Sequence, residues 1–130
     1  MHTVVLIPGD GIGPEVSAAV RTVFEAAGAP VRFVEHQAGE AAVKAGHKDL
    51  LPEETLDAIR QHHVALKGPC TTPIGKGFRS INVALRKTMN LYAAVRPVRS
   101  LAGVKTRYEN VDLVIVRENT EGLYSGIENQ

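Results

Sequence analysis

Three arginines, Arg86, Arg96 and Arg117, stand at the ends of otherwise apolar segments, and Ser80 and Asn82 precede the first of them. A guanidinium grips a carboxylate through two parallel hydrogen bonds, so arginines in such places point to a ligand with carboxyl groups. Ser80 opens a helix predicted over about 80–90, whose first turn offers unpaired backbone N–H groups, the positive end of a dipole and a hydroxyl. Asn82 adds an amide, and Arg86 falls one turn deeper on the same helical face. The competing reading is three separate salt bridges to the protein's own acids. Against it, residues 58–108 contain no Asp or Glu, although the chain has 14, and the same window holds 10 of the 15 Lys and Arg.

Other reactive residues leave choices open. Tyr124, in "EGLYSG", follows the strand that Arg117 ends; it is either a proton donor or an ordinary packing tyrosine. The five histidines show no ligand spacing, and His62 and His63 are adjacent on a predicted helix and cannot share a face. No metal site complete within these residues is expected. "GDGIGP" follows a predicted strand and opens a helix, but Gly9, Gly11 and Gly13 run G-x-G-x-G, a proline follows, and no acid ends a clear second strand. This is not the dinucleotide fingerprint, and whether the turn meets a ligand stays open.

Composition narrows the classes. At 130 residues, 44% hydrophobic and 22% charged, the chain suits one modest core or part of a larger domain. Tryptophan is absent and aromatics make up 5%, which disfavours a base-stacking platform. A net charge of +1 argues against a general nucleic-acid or membrane binder, while the local imbalance argues for one anionic site. Cys70 is the single cysteine, so no internal disulfide is possible; it reads as a small packed residue rather than a reactive thiol. "MHTVVLIPGDGIG" has neither a basic region nor a long apolar run, and a cytoplasmic or otherwise reducing location is expected.

The elements that must position these residues alternate. Strands are predicted at 3–7, 31–34 and 64–66, with helices opening at Pro14 and at Pro52 between them. After the loop "KGPCTTPIGKG" and the helix from Ser80, two more strands are expected at 91–98 and 111–117. The class is α/β. Five strands with so little chain to cover their edges look incomplete.

"IPGDGIGPEV", "KGPCTTPIGKGFRSINVALRK", "LYAAVRPVR" and "VIVRENTEGLYSGIE" together resemble the β-decarboxylating dehydrogenases, the isocitrate/isopropylmalate dehydrogenase family, and most closely its NAD-type isocitrate members. The resemblance implies a non-Rossmann two-domain α/β fold with a mixed sheet. Residues 1–91 would be the first part of the large domain and 92–130 the incomplete opening of the small one, with Arg86 and Arg96 on either side of the hinge. It implies oxidative decarboxylation of isocitrate to 2-oxoglutarate, a step of the tricarboxylic acid cycle, with reduction of NAD (or NADP) and with Mg²⁺ or Mn²⁺. By this likeness Ser80, Asn82, Arg86, Arg96, Arg117 and Lys67 contact substrate, Thr72 and Ile12 lie at the cofactor, and Tyr124 protonates the enol left by decarboxylation.

The family chain is much longer, and its metal-binding aspartates and catalytic lysine match no motif within these 130 residues. The resemblance therefore implies an N-terminal portion, inactive alone, of a homodimer or higher homo-oligomer that binds neither nucleic acid nor membrane. In "RSINVAL", Ser80 and Asn82 offer hydrogen bonds where isopropylmalate relatives carry apolar residues, which disfavours that substrate. Homoisocitrate is harder to separate. A non-catalytic carboxylate-binding subunit of a hetero-oligomer is the alternative. Ser80 also matches a serine that some bacterial members phosphorylate.

Overall fold

The structure, a computed structural model, describes residues 1–71 and 80–122. The elements run β1 (His2–Ile7), α1 (Gly13–Ala26), β2 (Val31–Glu35), α2 (Glu40–Lys44), α3 (Glu53–His62), β3 (Ala65–Lys67), α4 (Ile81–Thr88), β4 (Ala93–Arg99) and β5 (Asp112–Glu118). Parallel and antiparallel pairing both occur. β1 lies between β2 and β3 in a parallel sheet, and β4 pairs with β5 antiparallel in a second sheet. The chain divides into two compact units, one up to Ala84 and one from Leu85.

The first unit is built on β1. Val5, Leu6 and Ile7 are consecutive and at most 1% exposed, the pattern of a central parallel strand covered on both faces. Leu56, Ala58 and Ile59 of α3 are buried with it. α3 starts at Pro52, whose extended backbone makes it the N-cap, and carries Glu53 and Glu54 in its first turn. Phe24 of α1 meets Phe33 of β2 edge to face, ring centres 5.4 Å apart. The apolar stripe of α1 does not all point inward. Gly13 and Ser17 are its buried residues, while Val16 and Val23 are exposed. Helix α2 is absent from the sequence reading, because five residues entered through Gly39 without a side-chain cap carry no periodic signal.

The second unit holds the last turn of α4 and the β4–β5 hairpin. Its boundary falls inside α4, ahead of the division expected after residue 91. The residues just past α4 close its last turn: the Met89 N–H donates to the Leu85 carbonyl and the Leu91 N–H to that of Arg86. Arg86, Arg96 and Arg117 all fall within this second unit.

Candidate functional site

The hairpin register decides how two of the arginines stand. Ala94 pairs with Arg117 and Arg96 with Ile115. Directly paired residues point to the same side of a sheet, and so do residues two apart along a strand. Arg96 and Arg117 therefore share one face as diagonal neighbours, a spacing of roughly 7–8 Å between backbones. Arg99 lies on the opposite face and is paired with Asp112 at 2.8 Å. Among the described residues neither Arg86 nor Arg96 enters an ion pair; the pairs that form use Arg21, Lys44, His47, Arg60 and Arg99. Arg117 is half-buried and donates to the Asn119 side-chain oxygen at 3.1 Å.

Around α4, Ser80 immediately precedes the helix, is half-buried, and its carbonyl accepts the Ala84 N–H. Asn82 is exposed and Arg86 half-buried one turn later. The residue that anchors the helix start is Ile81, 3% exposed.

Ile12 and Lys67 lie together at the carboxyl edge of the parallel sheet. Lys67 ends β3 opposite Ile7, with its ammonium on the Gly68 carbonyl at 2.8 Å. Ile12 is the N-cap of α1 and 67% exposed. Ligands of open α/β sheets gather outside this edge. Thr72 and Tyr124 lie outside the described residues.

The glycine turn does structural work. A Cβ on Gly9, whose φ is +79°, would stand 1.8 Å from the Pro69 carbonyl oxygen, and the Asp10 N–H donates to that same oxygen at 3.0 Å. The loop after β3 therefore packs directly against the glycine turn. At Gly9 the close neighbour that requires a glycine is thus the protein's own backbone at Pro69.

Asp10 was not singled out in the sequence. It is 8% exposed, and its carboxylate accepts the Glu40 N–H at 2.9 Å and the Thr71 N–H at 2.5 Å. Burial alone would raise its pKa, but hydrogen bonds from Thr71 and Glu40, with the Lys44 ammonium, outweigh it and hold the carboxyl below its ordinary value. Gly39, φ +80°, leaves room for it: a Cβ there would stand 2.4 Å from Oδ2. The available signal was an acid between glycines in a turn otherwise apolar.

Glu118 was missed too. It caps the turn after β5, accepting from the Thr120 N–H and from the Glu121 N–H at 2.7 Å. Hydrogen bonding from Thr120 lowers its pKa most, desolvation opposes it, and the Glu121 N–H adds to the lowering. Asn119, 7% exposed, donates its N–H to the Tyr92 carbonyl.

No group of three or more His, Cys, Asp or Glu among the described residues is placed to hold a metal ion. No helix among them is long and apolar enough to cross a membrane.

A parallel α/β layer with its loops knotted at the carboxyl edge, followed by a hairpin carrying two arginines on one face, is the opening of a two-domain dehydrogenase fold of the non-Rossmann kind. The chain belongs to the isocitrate/isopropylmalate dehydrogenase family, whose model matches residues 3–130. It is 53% identical over 128 residues to the mitochondrial "isocitrate dehydrogenase [NAD] catalytic subunit 5" of Arabidopsis thaliana, covering 98% of this chain and 34% of the relative. It is equally 53% identical over 125 residues to the chloroplastic 3-isopropylmalate dehydrogenase of Solanum tuberosum, covering 96% of this chain and 35% of that one. The crystal structure of isocitrate dehydrogenase from Methylococcus capsulatus superimposes with a TM-score of 0.82 at 53% identity, over 98% of this chain and 37% of that one. The chain spans about a third of the length of the curated relatives it matches.

Proposed function

We propose that this chain is the N-terminal part of an NAD-dependent isocitrate dehydrogenase and carries most of its substrate-recognition surface. The observation that supports this best is the arginine pair on one face of the β4–β5 hairpin. Arg96 and Arg117 are diagonal neighbours there, and Arg96 has no ion pair among the described residues. A substrate with three carboxylates offers Arg96 an anionic partner that the described residues do not. Ser80 and Asn82, at the head of α4, supply neutral donors for the carboxylate that distinguishes isocitrate from isopropylmalate.

A bound nicotinamide would supply the acceptor for the hydride of the C2–H bond, whose loss together with the hydroxyl proton turns the 2-hydroxy acid into a keto acid. The resulting β-keto acid releases CO₂, and the electron pair of the broken C–C bond moves into the C2 carbonyl to give an enolate. Tyr124 returns a proton to carbon. A divalent cation, when bound, polarises the C2 oxygen. The arginines hold the reacting carbons in place, an effect worth about 7 kcal/mol or more in favourable cases. Ile12 and Thr72 would lie against the dinucleotide.

The 130 residues alone are expected to be inactive, with metal, dinucleotide and general base completed by other parts of a homo-oligomer. NAD rather than NADP, and a cytoplasmic location, belong to the same reading. The 53% identity to a 3-isopropylmalate dehydrogenase keeps that substrate as the competitor. Calorimetry of the complete protein with isocitrate, homoisocitrate and 3-isopropylmalate separates the readings. Tightest binding of isocitrate is expected, and tighter binding of either other acid overturns the assignment.

A further inference from the structure

The carboxyl edge of the parallel sheet is assembled from three chain segments: the exit of β1 at residues 8–12, the entry to α2 at Gly39 and Glu40, and the exit of β3 at residues 68–71. One side chain touches all three. Asp10 belongs to the first, its Oδ2 accepts from Glu40 in the second, and its Oδ1 accepts from Thr71 in the third. Its own N–H returns a bond to Pro69, and its carbonyl takes the Gly13 N–H.

The two main-chain donors approach different oxygens of one buried carboxylate. A carboxylate accepts both; a carboxamide accepts at one atom and presents N–H at the other, against a donor. Gly39 and Gly9 both exist in conformations and spaces that a side chain would spoil. Ile12, two residues away and 67% exposed, stands outside this edge, where ligands of open α/β sheets bind and where the proposed function puts the dinucleotide.

We propose that Asp10 is a positioning residue for the dinucleotide: its carboxylate locks the exit of β3 onto the exit of β1, keeping the ligand-facing edge assembled. It touches no reacting atom. This rests on the dehydrogenase reading above and adds to it a residue which that reading does not use.

The test compares wild-type and Asp10→Asn in the complete dehydrogenase. In the variant KM for NAD should rise about tenfold, the effect of one lost hydrogen bond to a charged group. The Kd of isocitrate measured without dinucleotide should stay within twofold. Exchange of the Thr71 and Glu40 amides should speed at least tenfold. Thr71→Pro removes the donor from the other side while leaving Asp10 in place, and should give the same separation of KM from Kd. An unchanged KM in folded Asp10→Asn overturns the proposal. So does a parallel loss of NAD and isocitrate binding with a lower Tm, which marks a purely structural residue. Failure of both variants to fold overturns it equally. A wild-type protein that binds no dinucleotide sinks the dehydrogenase reading instead, and the amide exchange, which needs no ligand, still reports on the clamp.

Discussion

Arg96 and Arg99 lie three positions apart on one strand and therefore face opposite ways, which makes them an internally controlled pair. Arg96 shares its face with Arg117 and has no ion pair among the described residues, whereas Arg99 is paired with Asp112 at 2.8 Å. Replacing Arg96 by Gln removes a charge-assisted grip on a carboxylate, worth about 1.5–3 kcal/mol, hence a loss of affinity for isocitrate of roughly 10–150-fold. Stability should hardly move, within about 0.5 kcal/mol, because Arg96 is exposed and leaves no protein acid behind. Arg99→Gln breaks an exposed, solvent-screened ion pair, should change stability little, and should leave isocitrate affinity within twofold. Calorimetry of the complete protein gives the affinities, and urea unfolding gives the stabilities. If the two variants lose affinity equally, or Arg96→Gln loses none while folded, the assignment of this hairpin face to the substrate is wrong.

Further outcomes follow from the same geometry. Gly9→Ala, with its new Cβ 1.8 Å from a backbone oxygen, should lower unfolding free energy by about 3 kcal/mol or more. Gly28→Ala has open space and only its left-handed backbone to strain, so it should cost about 1 kcal/mol; equal values in denaturant titrations would contradict the close loop contact. For Asp10, a folded pKa below the unfolded one means a stabilisation fully present above the unfolded value and lost as pH falls through the folded one. The stability gap between wild-type and Asp10→Asn should accordingly narrow in acid, and a gap that widens there would reverse the sign of the shift. Ser80→Asp places a carboxylate where the substrate's should sit and is expected to weaken isocitrate binding at least tenfold, measured by the same calorimetry; intact affinity would remove Ser80 from the substrate surface and with it any regulation by phosphate there.

Much of the fold was legible because its signals are local. The β-branched run of β1, the prolines that open α1 and α3 and the helical spacing after Ser80 each act over a few residues, and each element lies where those signals put it. Pairing was not legible. That β1 would sit between β2 and β3, or that Arg96 would land diagonal to Arg117, depends on register, which no spacing along the chain encodes. Asp10 escaped notice for a related reason: its partners lie 30 and 61 residues away. The glycines around it left a ligand role open because close approach of any backbone demands the same residue, whether the visitor is a phosphate or the Pro69 carbonyl.

The long stretch without acids also finds a physical account. Within residues 58–108, Arg60 draws its acids from outside the window, Glu53 and Asp57, and Arg99 draws Asp112. Arg107 instead lies over the Tyr108 ring at 5.4 Å. Acids inside the window would have been the nearest available partners for Arg86 and Arg96. A carboxylate of the protein beside either would compete with any carboxylate ligand at an effective concentration no free solute reaches, since it is already tethered. On the proposed function, keeping acids out of the segment is part of building the anion site, as much as putting arginines into it. The same reasoning predicts that adding one acid opposite Arg96, by Ile115→Glu on the paired position of β5, should weaken isocitrate binding by about as much as Arg96→Gln does. Val114→Glu lies on the other face and should leave that binding within twofold. Calorimetry on the two variants decides it, and equal losses would mean that the hairpin responds to charge in general and not to occupation of one guanidinium.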